Sequence, residues 1–283
     1  MPVSETIHTY YPLHALLKQH VAYYYFLTTD TPDYQIRFHV YPQLQVPVTI
    51  HRFAQLEQSG AVAHVHADQN QRHLTLCNGL LKGPLEASIS GLQNRVTIVF
   101  RPLGINHFIE APYHTLIGRS IQRFDGWEGP AYTSFLEAFF AAGEHSTRLQ
   151  LLEAELLRRY RPVSKSDLLY RAVGLLTDFE EQRPVPEVAE ACGLTERTLN
   201  RLFHTHFSAS PVQFRKIARF RRTIELRQSA QKGALTKVAH RSSFFDQSHL
   251  IGDYHALTGM QPARFFNAVT RAAGGEVLMR ILE

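Results

Sequence analysis

Arg197, Asn200, Arg201 and His204 stand at i, i+3, i+4 and i+7, so any helix containing them carries all four on one stripe. The residue types matter as much as the spacing. A guanidinium presents a fork of donors that matches the two acceptors of a guanine edge, and a carboxamide matches the donor and acceptor of an adenine edge. Four hydrogen-bonding side chains in a row therefore suit the reading of base edges. The competing interpretation is an ordinary solvated helix face.

The surrounding residues favour a helix held for presentation. Pro186-Glu-Val-Ala-Glu-Ala-Cys192 reads as a short helix opened by Pro in its first turn, and Gly193 follows where a left-handed residue ends it. Thr195 is placed to cap a second helix running to about His206. Leu199, Leu202 and Phe203 would pack inward against Val188 and Ala189, leaving the opposite stripe exposed. A short helix, a tight turn and a longer helix form a helix-turn-helix pattern, in which the second helix enters a major groove while the first crosses the phosphates.

Charge is concentrated in the same region. Residues 1 to 166 hold 14 Lys and Arg against 13 Asp and Glu, whereas Arg197 to Arg264 holds 12 against Glu225, Asp246 and Asp253 alone. Clustered cations favour a polyanion by releasing its condensed counterions, so this segment is the expected nucleic-acid surface.

Beyond the first pair, Ser210-Pro211 opens a basic helix of about five turns reaching Arg227. Its apolar stripe is Phe214, Ile217, Phe220 or Arg221, Ile224 and Leu226, and Arg215, Arg219 and Arg222 lie on another stripe. Leu235 to Arg241 and Asp246 to Leu257 then repeat the short-helix, turn and long-helix pattern. Ala239 corresponds to Ala189, Leu250 to Leu199, Tyr254 to Phe203, and Gln261-Pro262 to Ser210-Pro211. Two copies about 50 residues apart imply duplicated units joined by a rigid connector.

Three stretches together resemble the AraC/XylS family of transcription regulators over residues 167 to 269. They are Val188-Ala-x3-Gly-Leu-Thr-x-Arg-x-Leu-x-Arg-x-Phe203, the connector with Arg219, and Phe244-x-Asp-Gln-Ser-His249 through Thr258-Gly259-x2-Pro262. The resemblance implies two recognition helices entering successive major-groove segments about one helical turn apart. It makes Arg197, Asn200 and Arg201 base-facing in the first unit, with His204 on the same stripe, and Gln247, Ser248 and His249 base-facing in the second. Arg219, Arg222 and Lys237 are the expected phosphate contacts. Two turn positions depart from the family pattern, with Ser243 and Ser208 where Gly is usual, and Gly252 replaces a long polar residue in the second recognition helix. The second unit is therefore expected to read DNA less strongly than the first.

The N-terminal half has another texture. Short runs rich in Val, Ile, Thr, Tyr and Phe are broken by Pro and Gly from Thr6 to about Glu110, which predicts strands. Arg95-Val-Thr-Ile-Val-Phe100 reads as a strand buried on both faces. After Pro130 the apolar spacing becomes helical, at Phe135, Phe139, Leu149, Leu152, Leu156 and Leu157. The expected organisation is α+β. Residues 1–160 form a mainly-β sandwich or barrel-like sensor and dimerisation domain, β-rich over 1–112 and helical over 130–160. A linker at 161–166 leads to an all-α DNA-binding domain with two helix-turn-helix motifs joined by a long helix over 167–271, and 272–283 form a tail. This arrangement also resembles the family's sensor-plus-reader plan, in a subgroup with no assigned effector.

Tyr23 and Tyr25 are candidates for lining an effector pocket, with Arg37, Arg52 or Arg101 orienting an acidic ligand. His64 and His66 alternate on one strand face and could share a metal, but no third ligand follows at cupin spacing, and no metal or other cofactor is expected. Two cysteines cannot build a Cys-rich zinc site or a disulfide framework, and no nucleophile elbow or phosphate-cradling glycine loop is present, so an enzyme is not expected. No apolar run reaches the roughly 20 residues of a membrane span and no secretory leader is read, so the expected location is cytoplasmic. The expected partner is double-stranded DNA, with a small-molecule effector, RNA polymerase and a second copy of the chain as further candidates.

Overall fold

The computed structural model describes residues 5–60, 62–118, 120–229, 247–272 and 277–282. The N-terminal half holds ten strands, β1 Glu5–Tyr10, β2 Val21–Thr29, β3 Gln35–Val40, β4 Val46–Arg52, β5 Ala54–Ser59, β6 Val62–Ala67, β7 His73–Asn78, β8 Leu85–Ser90, β9 Asn94–Phe100 and β10 Ile121–Arg123. Short helices α1, Ala15–His20, and α2, Tyr113–Leu116, and the 3-10 turn Gly104–Phe108 lie between them. Helices α3, Pro130–Ala141, and α4, His145–Arg159, follow.

One six-stranded sheet has the order β1-β2-β9-β4-β7-β10. Strand alternation sends its two faces into different environments. Tyr24, Phe26, Val48, Ile50, Val96 and Ile98 share a core with Leu136, Phe139, Leu152 and Leu156 of α3 and α4. The intervening residues, among them Tyr23, Tyr25, Thr49, His51, Arg95 and Val99, line the space in front of the second sheet. This is why β9 is buried on both sides after its first two residues. The second sheet includes β3, β8, β6 and β5 in that order, with β6 and β8 parallel and the other pairs antiparallel.

The second sheet contains two further strands from the far end of the chain. β11, Thr270–Ala272, and β12, Val277–Leu282, form a hairpin, and β12 pairs with β3 through Met279↔Val40, Arg280↔His39, Ile281↔Phe38 and Leu282↔Arg37. The expected tail is thus an edge hairpin of the N-terminal sheet, because β3 offers an unpaired edge that a further strand satisfies. The expected linker is also held in place. Arg161 N donates to His107 O at 2.7 Å and Val163 N to His107 Nδ1 at 3.3 Å.

Helices α5 Ser166–Thr177, α6 Val185–Ala191, α7 Glu196–Phe207, α8 Pro211–Ser229, α9 Gln247–Thr258 and α10 Pro262–Ala268 complete the described chain. The first helical core gathers Leu169, Val188, Leu199, Phe203 and Phe214. The second gathers Ile217, Phe220, Ile224, Leu250, Tyr254 and Phe265. The long helix α8 contributes to both, so the two cores are joined by one rigid rod of about 28 Å. Phe220, rather than Arg221, is the buried residue of its stripe, and Leu226 is only half-buried.

Candidate nucleic-acid interface and the cavity of the N-terminal half

Helix α7 is positioned by local chemistry at both ends. Gly193 has φ +66°, and the Thr195 hydroxyl accepts from Thr198 N at 3.2 Å, capping the helix. At the other end Ser208 takes φ +53°, the left-handed position that Gly259, φ +69°, fills in the second unit. The serine is retained there without glycine's freedom, and its Oγ donates to Ile117 O at 3.3 Å.

With Leu199, Phe203 and Phe207 buried, Arg197, Arg201 and His204 are exposed on the opposite face, and Asn200 is half-exposed with its Nδ2 donating to Glu196 O at 3.0 Å. The structure thus brings the four candidates of the first unit onto one solvent-facing stripe. In α9, Leu250, Tyr254 and Leu257 point inward, and Ser248 is exposed. Gln247 and His249 belong to the same helix, but their side chains lie outside the described residues, as do Lys237, Ser243 and Ala239 altogether. Gly252 lies on the exposed side of α9 with open space where a Cβ would be.

The connector's arginines are all half-exposed, and several are engaged by neighbouring elements. Arg215 donates to Leu176 O and Arg183 O, satisfying carbonyls at and beyond the end of α5. Arg219 is half-buried beside Asp253, whose charge works against the downward push of burial on the guanidinium, and Lys216 Nζ pairs with Asp253 at 2.8 Å. Arg219 thus has a carboxylate of α9 beside it, a neighbour that the spacing of a basic stripe does not reveal. Arg222 is half-exposed.

A cavity of about 100 Å³ lies between the two sheets. Tyr23 and Tyr25 line it, with their rings stacked 6.4 Å apart. Arg37, Arg52 and Arg101 do not. Arg37 pairs with Glu86 at 2.8 Å on the surface, Arg52 donates to Phe140 O at 3.4 Å, and Arg101 donates to Lys18 O at 3.2 Å. Strand parity sends Arg37 and Arg52 away from the interior, and Arg101 lies just beyond the end of β9.

The cation inside is Arg95, which is paired across strands with His51 in the β4 and β9 register. Arg95 Nε and His51 Nδ1 are buried without hydrogen-bond partners among the described residues, none of which brings a carboxylate to the cavity lining. Burial first and then the Arg95 charge hold the His51 imidazole well below its ordinary pKa, so it is neutral near pH 7. Counting alternate residues along Arg95-Val-Thr-Ile-Val-Phe100 would have placed Arg95 with Thr97 and Val99, but reading the strand as buried throughout concealed that.

The His64 and His66 rings lie 5.4 Å apart. Both His64 nitrogens are engaged, Nδ1 by Ser88 Oγ at 2.7 Å and Nε2 by Ser90 Oγ at 3.3 Å. Among the described residues no group of three or more metal-ligating side chains occurs. None of the described helices is long and apolar enough to cross a membrane.

Residues 188–268 match a helix-turn-helix domain, and residues 8–122 match a domain of unknown function (DUF6597). The chain is a DNA-binding transcription regulator. More narrowly, its C-terminal region is a helix-turn-helix domain of the AraC type. No curated protein matches it. Among solved structures, ToxT from Vibrio cholerae O395 is similar at 10% identity and TM-score 0.44, over 93% of this chain and 97% of that one. A second ToxT structure from Vibrio cholerae, in the P21 form, is similar at 9% identity and TM-score 0.45, over 93% and 98%. Wild-type ToxT with a bound unsaturated fatty acid, from Vibrio cholerae strain SCE256, is similar at 9% identity and TM-score 0.42, over 92% and 94%.

Proposed function

We propose that the chain is a sequence-specific, effector-responsive regulator that reads two successive major-groove segments, with α7 as the dominant reader and α9 as the auxiliary grip. The observation that carries this reading is the exposed stripe Arg197, Asn200, Arg201 and His204 on a helix capped at its start and packed along its opposite face. Arg can make bidentate contact with guanine and Asn with adenine, whereas Gly252 removes a side chain from the corresponding face of α9. Because α8 belongs to both helical cores, the two readers keep a fixed spacing. A second copy of the chain bound through the N-terminal half and RNA polymerase complete the proposed partners, in the cytoplasm.

Effector responsiveness is supported by the lined cavity, since a ligand there can favour one arrangement of the chain over another. Sequencing of genomic DNA fragments selected by the full-length protein tests the reading. An enriched motif with two parts about one helical turn apart is expected, with affinity falling steeply as salt rises. Unenriched fragments, or binding indifferent to salt, would reject it.

A further inference from the structure

The cavity between the sheets contains a charge that the protein does not neutralise. Among the described residues Arg95 has no carboxylate partner; the residue is half-exposed, but its Nε is buried without a hydrogen bond, and His51 Nδ1 beside it is also unsatisfied. Leaving a guanidinium N–H and an imidazole nitrogen buried without partners is costly, and an anion with two acceptor oxygens relieves both at once when Nδ1 carries the ring proton. Apolar and aromatic residues such as Tyr23, Val65, Leu76 and Val99 form much of the remaining wall and suit a hydrocarbon body, while Gln43, Thr49, Asn78 and Ser88 add polar groups. A volume of about 100 Å³ suits a small acid, since an apolar cavity of about 150 Å³ accommodates benzene.

Three other wall residues are tied directly to the DNA-binding half. The Tyr41 ring lines the cavity and also packs edge-on against Phe265 of α10, with ring centres 5.0 Å apart. Gln43 lines the cavity and accepts from the Arg221 guanidinium of α8 at 2.8 Å. Met279 lines it from β12, the strand that follows α10 by way of β11. All three ties lead to the second helix-turn-helix unit or to the part of α8 that belongs with it. The first unit is docked elsewhere, through Asn106 and Ile117, neither of which lines the cavity.

We propose that this cavity is the site of a small carboxylate-bearing effector, its carboxylate held by the Arg95 guanidinium and His51 Nδ1, and that occupancy acts on the second helix-turn-helix unit through Tyr41, Gln43 and Met279. This rests on the effector-responsive reading above and adds the ligand class and the route. The route is physical: a ligand filling the cavity moves its walls, of which Tyr41 and Gln43 touch α10 and α8 and Met279 belongs to the terminal hairpin. A ligand shifts such an equilibrium only by its differential affinity for the two arrangements.

The test uses the full-length protein and two measurements. Thermal melting is followed with propionate, isobutyrate, butyrate and benzoate, each beside its neutral amide. At least one acid raises the melting temperature and its amide does not. Arg95→Gln weakens that acid at least about tenfold, and Arg95→Lys, which keeps the charge, retains part of the affinity. Failure of every acid, equal shifts from the amides, or an unchanged response in Arg95→Gln overturns the site.

In the second measurement, fluorescence anisotropy on a selected DNA fragment reads the affinity with and without the bound acid. Saturating acid changes it in the wild type. In Arg221→Ala, whose side chain lies outside the cavity lining, acid binding persists while the change in DNA affinity shrinks. An acid that binds without altering DNA affinity, or an undiminished change in Arg221→Ala, overturns the route. A protein that binds no DNA rejects the regulator reading, and the melting measurement still decides the site on its own.

Discussion

Asn106 and His206 bond each other twice across the boundary between the two halves of the molecule: Asn106 Nδ2 donates to His206 O at 3.1 Å, and His206 Nδ1 lies 3.1 Å from Asn106 Oδ1. His206 stands in the last turn of the proposed recognition helix, so this pair docks α7 onto the 3-10 turn of the N-terminal half. Asn106→Ala leaves a buried carbonyl and a ring nitrogen without their partner. A loss of about 1–3 kcal/mol is expected in chemical denaturation, together with faster proteolysis at residues 160–166. A variant as stable and as protease-resistant as the wild type would show that the pair does not hold the halves together.

Base reading and charge neutralisation respond differently to mutation. Arg197→Ala is expected to cost about 1–3 kcal/mol on the preferred DNA and to relax selectivity at one base position. Arg222→Ala, on the half-exposed part of α8, weakens all sequences alike and lowers the salt slope by about one. Binding curves on matched and single-mismatch duplexes at several salt concentrations separate the two. Equal selectivity in both variants would contradict the assignment.

Gly252 is helical and exposed, with nothing within reach of an added Cβ. Gly252→Ala should stabilise α9 by about 0.5–1 kcal/mol, read as slower hydrogen exchange across that helix. The opposite change at the other reader, Thr195→Ala, removes the cap of α7 and should cost about 0.5–2 kcal/mol. Exchange rates unchanged in α9 of the first variant would count against the helical geometry there.

Removal of residues 270–283 bares the edge of β3 that β12 covers. Faster amide exchange in β3, with β9 little affected, is the expected signature, and the exposed edge promotes self-association. Exchange in β3 at the full-length rate would mean that the hairpin does not pair in solution.

Acid should weaken the fold through His107. Burial first, then the neighbouring His20, lowers its imidazole from 6.5 to about 4, and burial lowers His20 as well. The unfolded chain therefore binds more protons than the folded one in that window, so stability falls as pH drops from about 6.5 toward about 4 and this contribution levels off below it. Chemical denaturation across the window measures the slope, and His107→Gln should flatten it. A wild-type stability independent of pH over this range would refute the mechanism.

The first helix-turn-helix unit and the long helix of the second were legible in the amino-acid order because their determinants are local; the short helix expected over Leu235 to Arg241 lies outside the described residues. Helical spacing of apolar residues, the Thr195 cap and the left-handed position at Gly193 act within a few residues of one another. The repeat at about 50 residues made the second unit recognisable from the first. The strand-rich N-terminal half was legible in kind for the same reason, since period-two alternation and turn residues are local signals too.

Tertiary structure decided which charges matter. Arg37, Arg52 and Arg101 look no different from Arg95 in the sequence, yet only Arg95 lies in the cavity, because its place depends on strand parity and on pairing with His51 across 44 positions of chain. Arg219 has Asp253 beside it because another helix brings that carboxylate there. The last strand is paired with β3 across 239 to 245 positions of chain, through backbone groups that every sequence possesses. Local propensity specifies elements, whereas partners of that kind are chosen only when the whole chain closes upon itself.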